Sequence, residues 1–140
     1  MNVRKVLIVD DEPHVIRVLR LTLERQGYLV QSAGDGQEAL QKMEGFAPDV
    51  LVTDIHMDGM DGRILCRTVR ERYPQRPILI LVMTSMTAIE ERDWVRELSN
   101  TEFLEKPLSL RQLLARLAQY FLAMQADPEM HHAPSDPGRN

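Results

Sequence analysis

Val50, Leu51 and Val52 form an unbroken apolar run that stops, one residue after Thr53, at the carboxylate of Asp54. A strand with one wet face alternates polar and apolar residues, so a continuous run with a β-branched bias fits a strand buried on both faces. The pattern recurs along the chain. Residues 3–9 form a short apolar strand ending at Asp10 and Asp11, residues 78–83 form a longer one ending at Thr84, and Phe103 with Leu104 leads to Lys106 and Pro107. Residues 28–33 read as a weaker strand before the turn at Gly34, Asp35 and Gly36. Helical spacing fills the intervals. Pro13 stands near a helix start, Val15, Val18, Leu19, Thr22 and Leu23 repeat with helical period, and Gly27 follows as a C-terminal cap. Residues 38–44 make a short helix closed by Gly45. Ile64, Leu65, Thr68 and Val69 mark another, ended before Pro74 and Pro77. Residues 88–98 carry the only tryptophan, Trp94, which reads as a packing residue. Ser109 and Gln112 form a capping box for a last helix with Leu110, Leu113, Leu114, Leu117 and Phe121 on its apolar side.

Five strands alternating with five helices predict an α/β domain whose parallel sheet is covered on both faces, since each crossover is helical and right-handed. At 140 residues the chain is long enough for one such domain and too short for two ordinary ones. The domain is expected over 1–125, with 126–140 an unstructured tail: it is rich in proline, has no periodicity, and holds His131 and His132 in a solvated setting. A net charge of −4 gives no general attraction to nucleic acid or anionic lipid. Partners are therefore expected to be proteins or small ligands. The run behind Arg4 and Lys5 is too short for a signal peptide or membrane span, so the cytosol is expected. A single cysteine, Cys66, excludes an internal disulfide and a cysteine-based zinc site, and reads as a buried filler.

A parallel sheet brings the carboxyl ends of its strands to one rim, the place where open α/β sheets bind ligands. Asp10 and Asp11, Asp54, Thr84 and Lys106 all arrive there. Taken singly, each has an ordinary explanation as a turn acid, a cap, a strand-end hydroxyl or a surface lysine. Their joint arrival does not. Crowded carboxylates repel and desolvate one another unless a cation sits among them, and hard oxygen ligands in an open site point to Mg²⁺. Lys106 suits a phosphate and Thr84 adds a hydroxyl donor. In such a site a carboxylate can attack phosphorus while metal and lysine stabilise the other oxygens.

On these residues the chain resembles the receiver domains of two-component response regulators, the single-domain chemotaxis regulator among them. The resemblance covers roughly residues 3–123. It rests on the Asp10–Asp11 pair, on Asp54, on Thr84 thirty positions later, on Lys106 with Pro107 twenty-two further, and on the stretch Asp54, Ile55, His56, Met57 to Met60, Asp61, Gly62. It implies a flavodoxin-like, doubly wound five-stranded sheet of order 2-1-3-4-5. It further implies Asp54 as phosphoacceptor, and Mg²⁺ held by Asp11, Asp54 and the His56 backbone carbonyl with Asp10 in support. Thr84 and Phe103 would be the switch pair, the Lys106–Pro107 peptide would be cis, and His56 and Met86 would occupy the two positions that tune phosphoryl lifetime. Three departures stand out: Asp58 replaces the usual proline, Ser99 and Asn100 replace the usual Gly-Ala, and Pro77 lies further ahead of Thr84 than usual. Asn100 can still take the left-handed conformation that the turn needs.

The function implied is a phosphorylation-activated switch in a phosphorelay. A histidine kinase or a histidine phosphotransfer protein donates the phosphoryl group, a downstream protein reads the result, and a weak homodimer is allowed. Such a chain is not an enzyme on other molecules; it catalyses only its own phosphorylation and dephosphorylation. Two other readings compete. A phosphorylation-independent interaction module would not need every site residue present. A haloacid-dehalogenase-type phosphatase wants a second acid two residues after its nucleophile, where this chain has His56.

Overall fold

The computed structural model describes residues 3–85 and 89–126. Its elements run β1 (Lys5–Val9), α1 (Pro13–Arg25), β2 (Leu29–Ala33), α2 (Gly36–Phe46), β3 (Val50–Asp54), α3 (Gly62–Arg72), β4 (Leu79–Thr84), α4 (Ile89–Arg96), β5 (Thr101–Glu105) and α5 (Leu110–Ala126). All strand pairs are parallel and the order is β2-β1-β3-β4-β5. This is the doubly wound, flavodoxin-like order that the resemblance implies.

Alternation within the strands divides the core in two. Leu7, Leu51, Ile80 and Val82 meet α2, α3 and α4 through Met43, Leu65, Cys66, Val69 and Trp94. Val6, Ile8, Val52 and Leu81 meet α1 and α5 through Leu19, Leu23, Leu113, Leu117 and Phe121. Both faces are dry, as the continuous apolar runs require. Among the described residues no helix is long and apolar enough to cross a membrane.

Some local readings change. Gly45 lies inside α2 and does not close it: the helix runs on to buried Phe46, and Ala47 takes the left-handed conformation at φ 51° with its N–H on Met43 O at 2.9 Å. Val18 faces solvent, because the buried stripe of α1 runs through Leu19 and Leu23. The fifth strand spans five residues instead of two, held by its ladder to β4. Other turns follow the sequence. Gly27 at φ 92° donates to Glu24 O while Tyr28 donates to Leu23 O, the paired bonds that end a helix at glycine, and Asn100 is left-handed at φ 54°. Met86, His131, His132 and the tail from residue 127 lie outside the described residues.

Candidate functional site

Strand register assembles the rim. Val9 pairs with Thr53, so the next residues, Asp10 and Asp54, emerge side by side; Asp54 pairs with Met83, which brings Thr84 alongside, and Thr84 pairs with Glu105, one residue before Lys106. Backbone bonds fix the ends: Asp10 N donates to Ala33 O at 3.1 Å, and Lys106 N to Thr84 O at 2.8 Å. Behind Asp54 the chain turns back sharply, with Gly62 N on Ile55 O at 2.7 Å. A Cβ on Gly62 would lie 2.2 Å from Asp54 O and 2.8 Å from Ile55 Cα, so only glycine lets α3 begin this close to the strand. Asp61 caps that helix, its Oδ1 accepting from Ile64 N at 3.0 Å.

Asp54 is buried, with Oδ1 accepting from Ile55 N at 2.8 Å and Oδ2 lying 3.2 Å from Lys106 Nζ. One oxygen is thus held by backbone and the other faces a partly exposed cation. Asp10 is wholly buried; its Oδ1 accepts from Glu12 N at 2.8 Å, and its Oδ2 has no hydrogen-bond partner among the described residues. Burial pushes the Asp10 carboxyl above its usual range. The Glu12 N–H opposes that rise, the Asp54 carboxylate adds to it, Lys106 opposes it, and Asp11 adds to it. A buried carboxylate oxygen with like charges around it is unfavourable as it stands and suits a cation.

Asp10, Asp11 and Glu12 each offer a carboxylate oxygen within 4.8 Å of the others, Asp11 and Glu12 being exposed. Glu12 is the carboxylate that sequence reasoning misses. Its signal is plain enough, a third consecutive acid at the end of β1, and its side chain does not cap α1. Asp54 is not part of that three-carboxylate group, and its outer oxygen is turned to Lys106. Thr84 is buried at the end of β4, His56 is exposed, and the Lys106–Pro107 peptide is cis. Phe103 is half-buried and meets Trp94 edge-on. Cys66 is fully buried away from the rim, its thiol pushed up to about 12 by burial, as an inert filler requires.

The family model described as the response regulator receiver domain matches residues 6–118. The chain is 39% identical over 116 residues to the alkaline phosphatase synthesis transcriptional regulatory protein PhoP of Bacillus subtilis, covering 81% of this chain and 47% of that protein. It is 39% identical over 117 residues to the response regulator MprA of Mycobacterium ulcerans, covering 84% and 49%. The chain therefore spans about half the length of these curated relatives. Among solved structures, the chemotaxis response regulator CheY4 of Vibrio cholerae is similar with a TM-score of 0.75 and 32% identity, covering 84% of this chain and 98% of that one.

Proposed function

The chain belongs to the response regulator receiver domains of two-component signalling, and from that premise we propose that Asp54 accepts a phosphoryl group from a phosphohistidine. The observation that carries the reading is a buried Asp54 with Lys106 Nζ at 3.2 Å, beside a second buried carboxylate, Asp10, whose Oδ2 has no partner among the described residues. In the transfer an Asp54 carboxylate oxygen attacks phosphorus. A new O–P bond forms as the P–N bond to the donor imidazole breaks, and the imidazole keeps the electron pair and takes a proton from solvent. Lys106 then turns its charge from the carboxylate to a phosphoryl oxygen.

The rim fits Mg²⁺: the donors are hard oxygens, and the orphaned Asp10 Oδ2 and its raised carboxyl mark a deficit of positive charge. Asp11 and Asp54 with the His56 backbone carbonyl would hold the ion, Asp10 would support it, and Glu12 lies close enough to join. When bound, the ion neutralises the carboxylates and the incoming phosphoryl oxygens. Thr84 would donate its hydroxyl to a phosphoryl oxygen, and Phe103 would turn into the space released. The added charge shifts the domain between two conformations that a partner protein distinguishes. A histidine kinase or phosphotransfer protein in the cytosol would supply the phosphoryl group, and the chain acts on no other substrate.

Acetyl phosphate with Mg²⁺ should add one phosphoryl group, seen by intact mass, and a chelator should abolish the gain. Equal uptake by Asp54→Asn would refute the assignment.

A further inference from the structure

Trp94 is the only tryptophan in the chain, and its indole is 4% exposed in the core between α4 and the sheet. It stands edge-on to Phe103, with ring centroids 6.1 Å apart and planes at 84°. The guanidinium carbon of Arg63 lies over the Trp94 ring, 6.0 Å from its centroid, within the reach of a cation–π contact. Arg63 follows Gly62, the residue whose N–H returns to Ile55 next to Asp54. The indole therefore touches both the ring on β5 and the first turn of the helix that starts behind the acceptor. Its Nε1–H is buried without a hydrogen-bond partner among the described residues. A buried indole N–H ordinarily finds an acceptor, and leaving it unpaired is unfavourable.

We propose that Trp94 is a positioning residue of the switch. Its edge contact holds Phe103 half-buried, and when Phe103 turns toward Thr84 the indole swings outward, its N–H gains a partner, and α4 moves with it. An N–H with no partner among the described residues makes the buried arrangement one that a modest push can leave. The inference rests on the reading of Asp54 as acceptor and deepens it by naming the group on α4 that answers Phe103.

Because Trp94 is the sole tryptophan, emission and acrylamide quenching of the full chain report on it alone. Each sample is treated with acetyl phosphate and Mg²⁺ and weighed by intact mass. Quenching should rise roughly twofold or more with the phosphorylated fraction as the indole edge meets water, and should not change in Asp54→Asn. Trp94→Phe keeps an apolar ring without the N–H; it should take up phosphate equally while showing smaller phosphorylation-dependent chemical-shift changes at Phe103. Full mass gain with unchanged quenching overturns this proposal alone. Equal Phe103 shifts in Trp94→Phe also overturn it, since a purely structural role would need only the ring. No mass gain at all overturns the acceptor reading and this inference with it.

Discussion

Asp10 carries the least comfortable charge among the described residues, wholly buried with Oδ2 unpaired. Burial raises its carboxyl above the ordinary aspartate range, so between the unfolded and the folded value the native state holds more protons than the unfolded one. Stability contributed by this group is present below the unfolded value and is lost as pH rises through the folded value. Asp10→Asn cannot titrate, and without metal it should be more stable at neutral pH by on the order of 1–3 kcal/mol. The advantage should vanish at acid pH, and urea unfolding at several pH values measures it. Mg²⁺ should stabilise the unmodified protein more than the variant. A second prediction concerns lifetime. Met86, two positions after Thr84 in the sequence, carries an apolar thioether with no group to orient a water, and His56, two positions after Asp54, is exposed. Met86→Glu should lose phosphate faster, on the order of tenfold, if a carboxylate there orients the attacking water. Equal decay at matched Mg²⁺ and pH would show that this flank does not set the lifetime. The rim residues Asp10, Asp54, Thr84 and Lys106 are legible in sequence because each ends a strand, and the strand ends are marked by loss of apolar character. The lone Oδ2 of Asp10 and the contacts of Trp94 are not legible, because burial and pairing depend on which elements pack together.

At the scale of elements, the start of α5 is legible, where Ser109 Oγ accepts from Gln112 N at 3.1 Å, while α2 opens at Gly36, two residues before the expected start at 38, because Asp35 caps it. Asp35 Oδ1 accepts from Glu38 N at 2.8 Å, and Glu38 reaches back to Gly34 N at 2.8 Å, a reciprocal pair that opens α2. Asp35→Ala should lower stability by about 1 kcal/mol, as measured by chemical denaturation, without changing phosphate uptake. Helix ends read less well. Gly45 looks like a stop signal, yet the burial of Phe46 outweighs it and Ala47 takes the left-handed turn instead. The shortness of the apolar stretch at β5 has a similar cause: its Thr101, Glu102 and Glu105 are not hydrophobic, and the strand is defined by its ladder to β4. Pro77 precedes β4 without entering it, and its carbonyl accepts the Tyr120 hydroxyl at 2.7 Å, tying α5 to the start of that strand.

Across the whole molecule, one sheet carries two dry faces and gathers its polar strand ends at a single rim, so topology alone turns scattered residues into one site. A net charge of −4 gives this chain no general electrostatic attraction to DNA. A titration with duplex DNA should show only weak binding, and a steeply salt-dependent affinity beyond that would contradict the charge argument. The central claim is covalent, and it has a direct test. An aspartyl phosphate is an acyl phosphate, which borohydride reduces to homoserine at the modified position. After treatment with acetyl phosphate and Mg²⁺, reduction and peptide mass sequencing should place homoserine at position 54 and nowhere else. Homoserine at position 10 or 11, or phosphate uptake with no reduced residue at 54, would contradict the account.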